Sequence, residues 1–575
     1  MFSTALLVCI LGCDGTGSTE PGPGVVQGRD ARDTLVIATA FDQKDLLSPF
    51  ATAALDLQVL ELIGATLLAS DFDCGLVFRP RLATAWSWSE DGKTLAMTLR
   101  DDVKWSDGEP VDADDVKAFF DLVTDPAAQS PRAYLAQKLV PGAGPRVVDA
   151  HHLEFEFVER GDPTAMLALV ASLPPVPAHR LAGIDPAAIK SSPLNVQAPL
   201  ASGPWQVREW TRGDRLVLEP NPGWPGARPG LDRVIFRVIP DYATRVLELE
   251  RGGVDLVENI TVTDADRLLE KAPDVRLVRR GVRGQHDIMW NGIDPAEHAA
   301  RIEAAAAKGK PPDLDRLPPH PLFGQPAVRR ALTRAIDVDT ILRDVATSMR
   351  TGEVYGRPSV GTISPALCGY HNDALVPIAH DTDGARAGLA KAGWSDTNGD
   401  GVVDKDGRPF RFTLSTSAGS DTRRLIAERI KAQLAKVGVD AQVETMESGA
   451  LGERLRNRQF DAALWGWSAA LYVDPTSEWG RDSDYNYASY QEPRALQLLS
   501  RGLAEPDPQR AQGTWREFQS VVYAGQPWTF LYWIDELVAV SKRFENTTID
   551  VVSPYRRLEE WTVPPGSVKR ATLPE

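Results

Sequence analysis

Cysteine is scarce here, four in 575 residues. None sits in a Cys-x-x-Cys pair or a Cys/His spacing that would hold zinc. Beyond the N-terminus no apolar run approaches the roughly 20 residues that a membrane-spanning helix needs. A basic surplus is missing as well. Against 63 Lys and Arg stand 79 Asp and Glu, a net charge of -16, which argues against nucleic acid or an anionic membrane surface as the main partner. The motifs of hydrolytic chemistry are also absent, with no G-x-S-x-G elbow and no H-E-x-x-H pair. His151-His152 is the only adjacent pair among eight His. It opens a strand, where neighbours point to opposite faces, so it reads as surface. An enzyme is therefore not expected, and no catalytic residue, cofactor or metal is assigned.

What is present begins at the N-terminus. Residues 5–11 form a short apolar run ending at Gly12-Cys13, the size of a signal-peptide core, although no Lys or Arg precedes it. Ile10-Leu11-Gly12-Cys13 resembles a bacterial lipobox, which makes residues 1–12 a signal peptide and Cys13 the lipidated residue. Residues 13–32 are rich in Gly and Pro and read as a flexible tether with a reach of about 25 Å. The expected location is the periplasm or the outer face of the cytoplasmic membrane, through a lipid anchor. Cys74 and Cys368 are then free to pair in an oxidising compartment, a point the sequence leaves open.

The body of the chain, 43% hydrophobic and 25% charged, is long enough for two to four cores. Leu95, Met97 and Leu99 alternate with polar or small residues, the pattern of a half-buried strand. Asp112 then caps a helix with Asp115 three residues on, and Val116, Phe119, Phe120 and Val123 share one helical face. Leu153, Phe155 and Phe157 form another alternating strand, and further strands are read at 216–218 and 234–239. Later, Phe410, Phe412 and Leu414 precede a helix bearing Ile426, Ile430, Leu434 and Val437, with Gly438 as its C-terminal stop. Strands at 439–443 and 461–467 follow, separated by a helix at 451–458. Alternation of this kind predicts a parallel sheet with right-handed crossovers, and ligands bind beyond the carboxyl ends of such strands. That edge carries Trp465-Gly466-Trp467, Tyr472 and Asp474.

Certain runs of residues also carry a resemblance. Pro80-Arg81-Leu82-Ala83-Thr84-Ala85-Trp86 is followed by Glu90-Asp91-Gly92-Lys93, Leu99-Arg100-Asp101-Asp102-Val103-Lys104-Trp105, Asp107-Gly108-Glu109-Pro110 and Ala113-Asp114-Asp115-Val116. Ser202-Gly203-Pro204-Trp205, Asn221-Pro222-Gly223-Trp224, Gly253-Val254-Asp255-Leu256, Val328-Arg329-Arg330-Ala331-Leu332 and Gly466-Trp467 with Asp474-Pro475 continue the series. Together they resemble the bacterial family 5 extracellular solute-binding proteins, the oligopeptide- and dipeptide-binding group.

That resemblance implies an α/β, two-lobed periplasmic-binding-protein-like fold, type II, of the large three-domain variety, with a hinge and an interlobe cleft. Lobe I would comprise residues 33–75, 199–285 and 536–575, domain II residues 76–198, and lobe III residues 286–535. The chain would cross between lobes near Gln285 and near Trp533. Trp465, Gly466, Trp467, Tyr472, Asp474, Trp290, Asn291 and Trp533 become the candidate ligand-binding residues. The implied role is a monomeric receptor that hands a peptide or other small polar solute to ABC permease subunits, with a metal chelate or a signalling role as alternatives. Where peptide-binding members place an amino-anchoring Asp, this chain aligns Ala470. An Ala- and Pro-rich insertion at 297–317 is a second departure. Asp396-Thr397-Asn398-Gly399-Asp400-Gly401 with Asp404 resembles the start of a calcium loop, but position twelve is Gly407 in place of Glu.

Overall fold

The computed structural model describes residues 33–140, 144–310, 317–481, 483 and 485–565. The apolar N-terminal run, Cys13 and the tether lie outside the described residues, as does part of the 297–317 insertion. The part that is described continues the helix Pro295–Ala307, started by Asp294 accepting from the amides of Ala296 (2.9 Å) and Glu297 (3.3 Å).

One mixed eleven-stranded sheet runs through the molecule. At one end Thr34–Thr39 pairs in parallel with Arg233–Val238, followed outward by Arg215–Pro220 and Trp205–Thr211. At the other, Arg411–Ser417 pairs in parallel with Asp440–Met446 and with Ala462–Ser468, as the alternating sequence pattern predicts. The helices Asp421–Ala435 and Ser448–Arg456 make the crossovers. Gly438 ends the first of them at φ +78, and a Cβ there would meet Val403 Cγ1 at 2.9 Å.

Two long strands, Val275–Trp290 and Trp528–Ser541, join the two ends of the sheet. They are antiparallel partners, with Gln285 directly opposite Trp533. The pairing is irregular between Arg280 and Gly284 and again between His286 and Asp287. Such irregularities bend and twist a strand pair locally, here beside both crossing points. Apolar cores cover both faces at each end. Leu35, Ile37, Trp205 and Val540 lie on one side of lobe I and Val36, Ile235 and Leu537 on the other. In lobe III, Trp290, Phe412 and Ile430 oppose Met289, Trp479 and Trp528.

A separate four-stranded sheet, Ala83–Trp88, Thr94–Leu99, His152–Glu156 and Arg146–Asp149, packs with the helix Ala113–Thr124 to make domain II. Leu95, Met97 and Leu99 are buried in strict alternation, as expected. The expected boundary at 75/76 needs correction. It falls at the tip of the hairpin Leu68–Phe72/Leu76–Pro80, whose strands are hydrogen-bonded and so belong to one unit.

The Asp112–Asp115 capping box is formed, and it yields a pH prediction. Burial pushes the Asp115 carboxyl up to about 6, against opposing hydrogen bonds from Trp105 Nε1 (2.8 Å) and the Ala178 amide (2.8 Å). The folded state therefore holds this proton more tightly than the unfolded chain. Its stabilising contribution is complete below about pH 4 and is lost as pH rises through about 6, a span of roughly 3 kcal/mol. Asp115→Asn will gain on the parent by about that amount between pH 4 and 7 in chemical denaturation. A difference independent of pH would overturn the assignment.

Candidate ligand-binding site

The site grows from the end of Ala462–Ser468. Ala462, Ala463 and Leu464 are buried, Trp465 to Trp467 half-buried and Ser468 exposed. The strand thus leaves the core where the lobes meet. Ser468 and Tyr472 border two neighbouring spaces. The smaller is a slot of about 30 Å³, lined by Trp467, Tyr472, Asp474, Glu478, Gln285 and Trp533, with the 362–367 segment opposite. The larger is a chamber of about 580 Å³. Lobe III contributes Leu471 and Tyr472 to it, lobe I contributes Glu61, Glu258 and Glu536, and domain II contributes Arg132, Tyr134 and Leu169. Domain II is thus a third wall, which the two-lobe reading of the sequence does not include.

The candidate residues divide sharply. Trp467, Tyr472, Asp474 and Trp533 line the slot. Trp533 is almost wholly buried, and its buried Nε1 has no partner among the described residues. Trp467 stacks on Trp528 at 5.7 Å and on Tyr487 at 5.9 Å, which fixes its plane before any solute arrives. Trp465 packs into the lobe III core and borders neither space. At Gly466 a Cβ would come within 2.8 Å of Arg423 Nη2, so its missing side chain serves packing.

Trp290 and Asn291 need correction as cleft residues. Both are fully buried. Trp290 packs on Phe323 (4.8 Å) and donates to Thr529 Oγ1 (3.0 Å), while Asn291 Nδ2 donates to the carbonyls of Phe460 (2.8 Å) and Arg458 (3.1 Å). These bonds tie strands together inside lobe III.

Gln285 is set by the two N–H groups of its Nε2, shared among Gly361 O (2.8 Å), Ser359 Oγ (3.1 Å) and Asp287 Oδ1 (3.1 Å). It fastens the crossing strand to the segment that faces the slot. The calcium-like loop spends its oxygens on its own backbone. Asp396 accepts from the amides of Gly399 (2.6 Å) and Gly401 (3.0 Å), and Asp404 from Thr397 N (2.9 Å) and Oγ1 (2.7 Å). Among the described residues no three His, Cys, Asp or Glu side chains are grouped to hold a metal ion.

The electrostatics of the two spaces are lopsided. Arg280 donates Nη1 to Glu536 (2.8 Å), lies 3.7 Å from Glu258, and gives Nε to Asp550 O (2.7 Å). Arg132 is occupied by the carbonyls of Ser48 (3.0 Å) and Ala51. Both guanidiniums are committed; the chamber lining carries three glutamates, Glu61, Glu258 and Glu536, against these two arginines, with Arg81 and Arg556 acting on Glu61 from outside that lining. Burial raises the pKa of Glu61, Glu258 and Glu478, because desolvation disfavours the charged form more than nearby groups restore it. Tyr472 is pushed up to about 12, first by burial and then by Asp474. Three of these groups lie on segments that no local motif connects, so only the fold reveals them.

A multi-domain α/β body joined by paired crossing strands, with a half-open chamber between its parts, has the fold of a type II binding protein. The family model for bacterial extracellular solute-binding proteins, family 5 (Middle) matches residues 77–487, and the chain belongs to that family. The oligopeptide-binding protein AppA of Bacillus subtilis is 28% identical over 483 residues, covering 82% of this chain and 81% of AppA. The nickel-binding periplasmic protein of Escherichia coli is 28% identical over 393 residues, 67% of each chain. The structure of B. subtilis AppA in complex with a nonapeptide superposes with a TM-score of 0.74 at 24% identity, covering 93% of this chain and 99% of the other.

Proposed function

We propose that the protein is the extracytoplasmic receptor of an ABC importer, held to the membrane through Cys13, and that its solute is a short peptide or similar polar molecule carrying positive charge. The observation that carries this reading is the chamber of about 580 Å³ with its surplus of carboxylates. That volume falls in the range of small-molecule sites and equals the room of roughly 20 waters at about 30 Å³ each. It suits a solute of several residues better than a lone ion. A cation entering it adds to the positive charge that Arg280 brings to Glu258 and that Arg81 and Arg556 bring to Glu61, two carboxyls that burial still raises. Ala470 brings no carboxylate to the position aligned with the family's amino anchor, so charge recognition passes to these glutamates. Trp467 and Tyr472 then offer apolar faces. Closure of lobes I and III about Gln285 and Trp533 presents the loaded form to the permease. The expected domain limits, with the hairpin boundary moved, belong to this proposal.

Native mass spectrometry of the purified protein, followed by denaturation, will identify what it carries. Calorimetry with tripeptides that differ only in a central Lys, Ala or Glu will then rank the charges. The Lys peptide is expected to bind at least tenfold more tightly than the Ala peptide. Equal binding of all three would remove the charge assignment and leave the receptor reading. A metal chelate as the sole released solute would replace the peptide class.

A further inference from the structure

A disulfide joins Cys74 to Cys368, with the Cα atoms 4.8 Å apart and 294 residues between them in sequence. Its two ends belong to different parts of the molecule. Cys74 sits at φ +57 in the turn of the hairpin Leu68–Phe72/Leu76–Pro80. The C-terminal segment of lobe I grips the hairpin close to that turn. Arg556 donates to the Ser70 carbonyl and to the Asp71 carboxylate, and Arg557 Nη2 donates to Asp71 Oδ1 at 3.2 Å. Cys368 lies in the lobe III segment that walls the slot. That segment is held by His371 Nδ1 against Ile363 O (2.8 Å) and by Gln519 Nε2 donating to Tyr370 O (2.8 Å). Phe72, two residues before Cys74, packs into the same lobe III core as Ile363 and Leu367. Leu68, Ala69, Ser70 and Leu76 of the hairpin line the chamber. The bond therefore spans the two lobes at the chamber's edge, and both cysteines are solvent-exposed.

A disulfide holds its Cα atoms within about 6.8 Å of each other. Starting from 4.8 Å, the lobes can part at this edge by only about 2 Å before the bond resists. Hinge opening on a larger scale requires its cleavage or an unfolding of the hairpin. We propose that the Cys74–Cys368 disulfide is a reversible tether on lobe opening, and that an extracytoplasmic dithiol reductant is the partner that releases it. This rests on the reading of the two lobes as a closing receptor. In the exchange, a thiolate of the reductant attacks the sulfur of one of these exposed residues and the other sulfur leaves as a thiolate. The reductant's second thiolate then attacks the mixed disulfide. Two electrons and two protons pass to this chain, which ends with two thiols, while the reductant ends as a disulfide. The exposure of both cysteine residues favours that attack.

Small-angle X-ray scattering on the ligand-free full chain, untreated and after dithiothreitol, tests the tether without knowledge of the solute. A compact chain of this length has a radius of gyration of about 25 Å. Reduction is expected to raise it by about 1 Å, the scale of a hinge opening in a body of that size. The Cys74→Ser/Cys368→Ser double variant should match the reduced protein and ignore dithiothreitol. Far-UV circular dichroism unchanged on reduction separates opening from unfolding, and loss of that signal would overturn the proposal. Identical scattering from oxidised, reduced and double-variant proteins would overturn it too, as would free thiols at both positions in protein recovered from an oxidising compartment. Failure of the peptide assignment leaves this result untouched, because no solute enters the experiment.

Discussion

Ser468→Trp will lower affinity for the carried solute by about 100-fold or more, equivalent to roughly 2.7 kcal/mol, while leaving the melting temperature nearly unchanged. Ser468 is the last residue of Ala462–Ser468, is exposed, and borders both the slot and the chamber. An indole grafted there projects into space that solute must occupy, and no core atom has to move to admit it. Surface replacements away from buried features stay within about 0.5 kcal/mol of the parent in stability, so a loss of binding cannot be blamed on the fold. Calorimetry with the best tripeptide of the charge series and a thermal melt on the same samples provide both readouts. Unchanged affinity would put the solute somewhere other than the junction of slot and chamber.

Much of this site is legible in the amino-acid sequence alone. The run from Phe410 to Trp467 alternates strand and helix with little ambiguity, because each segment buries a clear apolar face, and the resulting parallel sheet puts Trp467 near its carboxyl edge. The crossing points are legible through resemblance, and the register pairs Gln285 with Trp533 directly. Trp290 and Asn291 show where linear proximity misleads. They lie only five and six residues beyond Gln285, but by then the strand is sealed between Ala462–Ser468 and Trp528–Ser541 and packed under Phe323. Distance along a strand of about 3.3 Å per residue carries them some 17 Å from the crossing and into the core. Trp465 lies two residues further inside the strand than Trp467 and borders neither space. The glutamates are not legible at all. Glu61 rides on the helix Ala54–Ile63, Glu258 follows the two-residue strand Leu256–Val257, and Glu536 sits in Trp528–Ser541. Single carboxylates on three such segments look like solvated surface until the fold turns them toward one space.

Arg280→Met is expected to destabilise the protein by about 3–5 kcal/mol near neutral pH, the cost of removing one partner from a buried ion pair. The Arg280 side chain is only 5% exposed, and it bridges Glu536 and Glu258 from the crossing strand. Glu258 also accepts from Tyr555 Oη. Methionine keeps most of the aliphatic stem, so the change reads charge more than volume. Without the guanidinium, two carboxylates are left close together in a poorly solvated corner. Burial already raises the Glu258 pKa with Arg280 opposing it, and removing that opposition raises it further. A group whose folded pKa lies above its unfolded value is most stabilising below the unfolded value and loses that contribution as pH rises through the folded one. The variant's deficit should therefore shrink as pH falls from 7 toward 4 and the carboxyl takes up its proton. Denaturation midpoints of parent and variant across that range will show it. A deficit of the same size at every pH would mean that Arg280 contributes through packing and its bond to Asp550 O, and that the carboxylates beside it are not short of positive charge. In that case the preference for a cationic solute would lose its physical basis, because the same shortage underlies both.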